Sequence, residues 1–361
     1  MLYARGKRAR GPVVSALALA LTLAWPYSQA DAEVSCPGDK PASIVVNASG
    51  GAMANAMRKA FTDDFETIHG IEVIDTSPAD IAKLKAMVTS GNVEWAVTEI
   101  GGQNILRAVQ EGLLEPIDYD IVDISGFPET VKKNKKWFAK SAYATVLGYS
   151  TEAFPDDHPQ SWADFWDVEK YPGPRSLRDD PADNLEYALL ADGVAPEDLY
   201  PLDVDRAFRK LDEIAPHITV WWTSGQQPAQ LLLDGEVVLA SGWNGRFYNL
   251  IQDGAPLDIE WSEGMMKLSA YGIPKGAPDA CWGQHYLQVM TDPKRQAVYA
   301  EEIGYPGLHL DSPQYVDKKL APYLPTAPDN IDKLIWSDLE WWTEHGAEVK
   351  KRWTLWKLSH Q

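Results

Sequence analysis

The fold of this chain is decided by residues 236 to 276, EVVLASGWNGRFYNLIQDGAPLDIEWSEGMMKLSAYGIPKG. A short apolar run at 237–240 is typical of a strand, and Trp243 lies between two glycines just after it. Ala255-Pro256 ends the next helix. A strand pattern follows at 259–261, then a short loop, then a second strand pattern at 268–273 before a closing Pro-Lys-Gly turn. Strand ends that carry glycine and aromatic side chains predict a concave ligand site at the edge of an open α/β sheet.

The upstream chain alternates strand and helix patterns. The run SIVVN at 43–47 predicts the first strand, and apolar residues at helical spacing from Met53 to Ile68 predict a helix that Gly70 ends. Further strands are predicted at 71–74 and 95–100, and further helices at 79–89 and 104–111. This alternation predicts parallel strands with right-handed crossovers, and thus an α/β fold class.

The second half of the chain predicts another lobe. An extended run from Ala142 to Tyr149 marks the crossing into it. Its helices are predicted near 162–167, 183–191 and 203–214, and its strands near 218–222 and 237–241. Helices are then predicted at 279–290 and 293–302, with a helical tail at 330–356. We expect one lobe to comprise 33–145 plus 264–315, and the other 146–263 plus 316–361, with the ligand site in the cleft between them.

A set of short motifs runs in order through most of the chain: EGLLxxID at 111–118, SWADFW at 161–166, GWNG at 242–245, GxPxDxxWxEG at 254–264, IP at 273–274 and EIGYP at 302–306. Their order and spacing resemble the periplasmic solute-binding proteins of ABC importers, in the branch that includes spermidine- and putrescine-binding proteins. The resemblance implies a type 2 periplasmic-binding-protein fold, two-lobed with a hinged cleft. It also implies no catalysis, no cofactor, a monomeric state, and two partners: a small ligand and the permease subunits of an inner-membrane ABC transporter.

The first 32 residues have the three parts of a secretory signal. Four cations lie within residues 5–10, an apolar segment covers 13–25, and Ala30-Asp31-Ala32 is a small-residue cleavage site. The mature chain is therefore predicted to begin at Glu33 and to be periplasmic. An uncleaved N-terminal anchor and a lipoprotein modified at Cys36 are the alternatives.

The charge of the chain limits its partners. Removing the signal segment removes four cations and one anion, which takes the formal charge from −19 to −22. Such a negative chain is unsuited to nucleic acid and to anionic membrane surfaces, because both would repel it.

Two cysteines, Cys36 and Cys281, are present. An even pair in an oxidising compartment favours a disulfide. In the topology that the resemblance implies, both belong to the same lobe, so a bridge between them is expected. Two separate buried thiols are the alternative.

No catalytic motif is present: GxSxG, HExxH, GxGxxG, GxxxxGK and CxxC are all missing. The seven histidines are scattered, with no helical pair that would form a metal site. The sequence therefore predicts neither an enzyme nor a metal protein.

Two glycine-containing loops follow predicted strands and precede predicted helices. They are Ser49-Gly50-Gly51 and Gly101-Gly102. Exposed backbone N–H groups at such helix N-termini can bind a carboxylate, a sulfonate or a phosphate. The alternative is that these glycines only make the turns.

The resemblance also implies particular site residues. Asp183, Trp243 and Tyr305 align with acidic and aromatic residues of the polyamine pocket, and an indole face such as that of Trp243 can bind an ammonium. Lys267 and Ser269 instead occupy the positions of a tryptophan and an aspartate. A lysine in the cleft would repel a dication, so the combination suits a zwitterion, unless Lys267 points to solvent.

We therefore expect the substrate-binding component of an ABC transporter that imports a small polar ligand. That ligand is polyamine-related, or it is another small amine or a zwitterion such as an amino acid, an opine-like conjugate or an aminophosphonate. In the zwitterion hypothesis, Asp183 meets the ammonium, whereas Lys267 and the glycine loops meet the anionic group. A ferric-ion-binding protein on the same fold and a periplasmic enzyme are the alternatives.

Overall fold

A computed structural model describes residues 36–102, 104–132 and 135–360. The export signal predicted for residues 1–32 lies outside this part of the chain. The strands of the described chain form one sheet. They are β1 Ser43–Asn47, β2 Glu72–Thr76, β3 Val97–Gly101, β4 Phe138–Ser150, β5 Arg175–Arg178, β6 Ile218–Trp222, β7 Leu239–Trp243, β8 Leu257–Gly272 and β9 Ile335–Trp336.

Helices connect these strands along the whole described chain. They are α1 Ala52–Met57, α2 Asp63–His69, α3 Ile81–Ser90, α4 Asn104–Gln110, α5 Glu129–Lys132, α6 Trp162–Trp166, α7 Pro181–Ala191, α8 Val204–Ile214, α9 Gln227–Leu233, α10 Asn244–Gln252, α11 Ala280–Val289, α12 Pro293–Ile303, α13 Pro328–Ile331 and α14 Leu339–Ser359. A π-helical turn, Arg58–Thr62, joins α1 to α2. Gly70 ends α2 in the left-handed conformation (φ 60°), as predicted for a C-cap glycine.

The sheet has the strand order β2-β1-β3-β8-β4-β7-β5-β6, with β9 paired to β8. At one end β1 runs parallel to β2 and β3, and at the other β5 runs parallel to β6 and β7. The long strands β4 and β8 lie in the middle, antiparallel to each other and to β7 and β3 respectively. This arrangement confirms the predicted α/β fold class, with two parallel sheet halves joined by two crossing strands.

The two strands predicted at 259–261 and 268–273 are one strand, β8, and the prediction of an intervening loop was wrong. Pairing with β4 continues across the region, but its register jumps from Thr145↔Met265 to Leu147↔Glu260. Glu263 adopts a positive φ of 60° there. The break in the sequence pattern is thus a β-bulge, which changes the direction of a strand without ending it.

The C-terminal tail also differs from the prediction of one helix over 330–356. Helix α13 ends at Ile331, and the short strand β9 then pairs with Met265-Met266 of β8. Helix α14 begins only after Asp338, whose side chain accepts a hydrogen bond from Trp341 N at 2.9 Å. Strand pairing of β9 with β8 therefore outweighs the helical spacing of the apolar residues in this segment.

Strand β5 was not predicted, because arginines at both of its ends obscure its apolar pattern. The guanidinium of Arg175 is nevertheless completely buried. It donates to the backbone carbonyls of Phe165 and Tyr171, which replace its water contacts.

Separate hydrophobic cores lie on the two halves of the sheet. One core contains Phe61 of the π-helical turn, Phe65 of α2 and Tyr286 of α11. The other contains Trp162 of α6 and Trp353 of α14. The predicted lobe boundaries at 145/146 and 263/264 fall inside β4 and β8, next to the bulge. The division into lobes at those residues remains a prediction.

The predicted Cys36–Cys281 disulfide is present in the structure, with the two Cα atoms 5.6 Å apart. It ties the segment before β1 to the second residue of α11. No helix within residues 36–102, 104–132 and 135–360 combines the length and the apolar composition needed to cross a bilayer.

Candidate functional site

A cavity of about 280 Å³ opens where the carboxyl ends of β1, β3, β5 and β7 meet the crossing strands β4 and β8. Ligands of open α/β sheets bind outside such strand ends. Seven residues predicted for the site line this cavity: Ser49, Gly101, Gly102, Trp243, Lys267, Ser269 and Tyr305. The structure adds five polar residues to its walls that the sequence did not single out: Glu99, Asn104, Tyr143, Arg178 and Arg246.

A larger cavity of about 380 Å³ lies between α4 and α14. Its charged side chains already have partners, since Arg107 pairs with Glu111 at 2.9 Å and Lys350 pairs with Asp180 at 3.2 Å. The smaller cavity is the better candidate site, because some of its charged groups lack partners.

Gly50, Gly51 and Asp183 do not line the candidate cavity. Gly51 precedes α1 with a φ of 68°, a conformation that favours glycine. Asp183 also has a positive φ, of 75°, and it lies completely buried near the start of α7.

The carboxylate of Asp183 forms an ion pair with Lys267. The Lys267 ammonium contacts both carboxylate oxygens, and Thr145 donates its hydroxyl to Oδ2 at 2.9 Å. Both charged side chains are at most 3% exposed. The hypothesis of separate ligand contacts for Asp183 and Lys267 therefore differs from the structure, in which these two charges neutralise each other.

A second buried ion pair joins Glu99 to Lys140, with 2.9 Å between Oε1 and Nζ. Glu99 also accepts hydrogen bonds from Ser49 N at 2.6 Å and from Ser269 Oγ at 2.9 Å. Burial alone would raise the pKa of Glu99, but the Lys140 charge and the Ser49 N–H outweigh it and lower that pKa to about 2. Glu99 is therefore anionic at neutral pH, and Lys140 balances its charge.

Two of the backbone N–H groups proposed as an anion site have partners within the protein. Ser49 N donates to Glu99, and Gly102 N donates to the carbonyl of Leu268 at 3.2 Å. These two N–H groups would bind a ligand anion only after losing those hydrogen bonds.

Arg246 is the clearest unsatisfied group in the cavity wall. It is the third residue of α10 and is only 7% exposed. Its Nε and Nη1 atoms are buried without a hydrogen-bond partner. Because a buried guanidinium without an acceptor is costly, this group needs an anionic partner that the described part of the chain does not supply.

Arg178, at the end of β5, is a second cation of the cavity wall and is partly buried. Its guanidinium carbon lies 5.7 Å from the ring centre of Trp243 and 5.6 Å from that of Trp222. Neither Arg178 nor Arg246 forms an ion pair with another described residue. The cation near the indole of Trp243, where a ligand ammonium was expected, is therefore a guanidinium of the protein itself.

Aromatic side chains complete the cavity wall. The ring centres of Tyr143 and Tyr305 are 5.7 Å apart, and those of Tyr143 and Trp243 are 6.3 Å apart. Burial raises the pKa of both Tyr143 and Tyr305, so both phenols remain protonated at neutral pH. They can thus donate hydrogen bonds to an anionic ligand.

Neighbouring residues fix the positions of Arg246, Tyr305 and Trp243. Asn244 accepts from Ala144 N at 3.0 Å and donates to the carbonyl of Gly304 at 2.8 Å, which joins α10 to β4 and to the end of α12. Gly245 and Gly225 allow close approach. A Cβ on Gly245 would lie 2.0 Å from the carbonyl of Ile303, and one on Gly225 would lie 2.2 Å from the Trp243 ring.

Two of the functional residues that sequence reasoning missed had a visible signal. Arg246 is the last residue of the GWNGR motif, in which only the tryptophan was predicted for the site. Glu99 is the single acidic residue in the mainly apolar run 95–100. Arg178 and Tyr143 had no comparable signal, since only the sheet order brings their strands to the same cavity.

Together, the crossing strands and the charged, aromatic cavity between two cores define a protein built to enclose a small polar ligand. The chain belongs to the bacterial extracellular solute-binding protein family, whose family model matches residues 56–326. It is the substrate-binding component of an ABC transporter, and its ligand is a small polar molecule.

The chain is 35% identical over 324 residues to a gamma-aminobutyric acid-binding protein of Pseudomonas aeruginosa, covering 87% of this chain and 90% of the relative. It is 25% identical over 312 residues to the spermidine/putrescine-binding periplasmic protein of Escherichia coli, covering 77% and 88%. An ABC transporter substrate-binding protein of Bradyrhizobium japonicum superposes with a TM-score of 0.83 at 38% identity, covering 87% of this chain and 99% of that structure.

Proposed function

We propose that the transported ligand is a small amino compound that carries a carboxylate, the class to which gamma-aminobutyric acid belongs. The observation that carries this proposal is Arg246, a residue of the cavity wall whose guanidinium has two buried nitrogens without a hydrogen-bond partner. Guanidinium and carboxylate form paired, charge-assisted hydrogen bonds, so a ligand carboxylate would satisfy this group. The relative that binds gamma-aminobutyric acid supports the same class.

The charge of the cavity argues against a polyamine. The Glu99–Lys140 and Asp183–Lys267 pairs are neutral, which leaves the guanidiniums of Arg178 and Arg246. A diamine or triamine would bring further positive charge into a wall that is already positive, and no unpaired carboxylate lines the described cavity to receive it.

Ferric-ion binding is the other alternative considered for this fold. Such a site needs ionised tyrosines, and Tyr143 and Tyr305 lie side by side in the cavity. Burial raises the pKa of both phenols, which opposes their ionisation. The pair is therefore better suited to donating hydrogen bonds than to binding a metal ion.

A thermal-shift titration of the exported protein tests the proposal, because a ligand that binds only the native state raises the melting temperature. We expect 4-aminobutanoate to raise it and putrescine to leave it unchanged. Arg246→Gln should weaken carboxylate binding roughly 10- to 100-fold, the loss of one charge-assisted contact. Arg209→Gln, on an exposed arginine of α8, is the matched control. Binding of putrescine that Arg246→Gln does not alter would overturn the proposal.

We further propose that this protein is a periplasmic monomer, released from its signal peptide at Glu33, which delivers its ligand to the permease subunits of an inner-membrane ABC transporter. Its family and the disulfide in the structure support an oxidising compartment outside the cytoplasm. Edman sequencing of the exported protein should begin at Glu33, and a Met1 or a lipid-modified Cys36 would contradict the proposal.

A further inference from the structure

The number of unpaired charges in the cavity limits the charge of the ligand. Among the ionisable side chains that line it, Glu99 is balanced by Lys140, and Lys267 is balanced by Asp183. Arg178 and Arg246 remain, and neither forms an ion pair with a described residue. The empty cavity thus carries two positive charges in excess, and both belong to groups with the planar donor geometry that suits carboxylates.

The two guanidiniums reach the cavity from different elements. Arg178 ends β5 and lies near the rings of Trp222 and Trp243. Arg246 lies in the first turn of α10, next to Gly245, which packs against the ring of Tyr305. The ring of Trp243, over which Arg178 lies, is 6.3 Å from that of Tyr143. The two cations therefore lie on separate elements of the cavity wall, and each is close to aromatic side chains.

A ligand with one carboxylate would use only one of these sites. The zwitterion 4-aminobutanoate has no net charge, so the cavity would keep its excess of two positive charges after binding. Like charges enclosed in a poorly solvated site repel each other strongly, so 4-aminobutanoate would leave the positive charge of the cavity unbalanced.

The volume of the cavity agrees with a somewhat larger ligand. Its 280 Å³ has room for an amino acid with two carboxylates.

We propose that the ligand carries two anionic groups, one bound by Arg178 and the other by Arg246, on a compact amino compound. Acidic amino acids and N-carboxyalkyl amino acids form this class. The inference rests on the proposed function, since it adds a second anion to the carboxylate already assigned to Arg246. In this arrangement Tyr143 and Tyr305 donate their hydroxyls to the two anionic ends, and the aromatic rings cover the carbon chain between them.

Isothermal titration calorimetry of the exported protein tests the inference with four probes: glutamate, N-(1-carboxyethyl)alanine, 4-aminobutanoate and putrescine. We expect at least one of the two dicarboxylates to bind roughly 10- to 100-fold more tightly than 4-aminobutanoate, the value of one added charge-assisted contact. Putrescine should not bind.

The arginine variants separate the two anion sites. Arg178→Gln should weaken the dicarboxylate roughly 10- to 100-fold and change 4-aminobutanoate binding less than about threefold, whereas Arg246→Gln should weaken both. Arg178→Lys should recover part of the loss, because it restores charge without the planar donor pair. Arg209→Gln is again the matched control, and melting temperatures establish that each variant is folded.

The outcomes distinguish this inference from the proposed function. If 4-aminobutanoate binds as tightly as both dicarboxylates and Arg178→Gln leaves every affinity unchanged, the second anion site is wrong, but the carboxylate site at Arg246 stands. If neither dicarboxylate binds, the inference also fails. If putrescine binds and Arg246→Gln does not weaken it, both proposals fail together.

Discussion

Glu186 is a buried acid three residues after Asp183 on α7. Its Oε1 accepts hydrogen bonds from the hydroxyl of Tyr200 and from Nε1 of Trp342, both at 2.7 Å, whereas Oε2 is buried without a partner. Burial, and next the negative charge of Asp183, raise the pKa of Glu186 to about 7. This carboxyl group therefore changes its charge near neutral pH, next to the ion pair behind the cavity.

This shift predicts a pH-dependent stability. The folded protein holds the Glu186 proton more tightly than the unfolded chain, whose pKa is near 4.5. The free energy of unfolding should therefore fall as pH rises from about 4.5 to about 7, by a Glu186 contribution of the order of 3 kcal/mol. Urea unfolding at about pH 5 and about pH 8 measures the change.

The matched variants isolate that contribution. Glu186→Gln keeps an acceptor for Tyr200 and Trp342 but cannot ionise, so it should lose this part of the pH dependence. Glu197→Gln, on an exposed residue, should behave like the native protein. An unchanged pH dependence in Glu186→Gln would show that Glu186 ionises in the folded protein as it does in the unfolded chain.

At the scale of single residues, the sequence indicated which side chains of the site are charged, but not which side chains they pair with. Lys267 and Asp183 were recognised as charged candidates, and whether Lys267 faces solvent was left open. In the structure Lys267 lines the cavity, but its ammonium pairs with Asp183. Residue type fixes the charge of a side chain, whereas the neighbour that neutralises it comes from another part of the chain.

Helix α10 is the element on which the site most depends, because it starts at the end of β7 and carries Arg246 in its first turn. Asn244 anchors this turn through hydrogen bonds to Ala144 N and to the carbonyl of Gly304. It is completely buried, so the loss of its amide would leave both backbone groups without partners.

Asn244→Ala should accordingly lower the free energy of unfolding by about 2–4 kcal/mol, since each unsatisfied buried group costs about 1–3 kcal/mol. It should also weaken ligand binding, because the first turn of α10 is no longer held against β4. Chemical denaturation and calorimetry measure the two effects. Asn249→Ala lies on the same helix outside this network and should change stability by less than about 0.5 kcal/mol. Equal effects of the two variants would contradict the anchoring role.

The boundaries of the strands and helices show where the local sequence pattern is enough to predict secondary structure. The first strand, 43–47, and the strand at 218–222 match the predictions residue for residue. Most of the elements between them match to within a few residues. The prediction failed at the bulge in β8, at β9 and at β5. Each of these features depends on pairing with a distant strand, which changes the local preference of the segment.

At the scale of the whole molecule, the disulfide joins residues 245 positions apart and so constrains most of the described chain. A covalent link over so long a loop reduces the entropy of the unfolded state. The double variant Cys36→Ser/Cys281→Ser should lower the free energy of unfolding by about 2–5 kcal/mol. Ligand affinity should stay unchanged, because neither cysteine lines the cavity.

Guanidinium unfolding with and without a reducing agent measures this effect. The reducing agent should destabilise the native protein and leave the double variant unaffected. If both proteins respond equally, the stabilisation does not come from the bridge.

The sequence by itself determined the alternation of strands and helices, the order of the family motifs, the pair of cysteines and the polar, small-ligand character of the site. Only the tertiary structure decided the charge of the cavity. Glu99 and Lys140 are separated by 41 positions and Asp183 and Lys267 by 84, so their pairing follows from the sheet order and not from local spacing. The same order brings Arg178 and Arg246 to the cavity without partners, and a charge that the fold leaves unpaired is what a ligand can recognise.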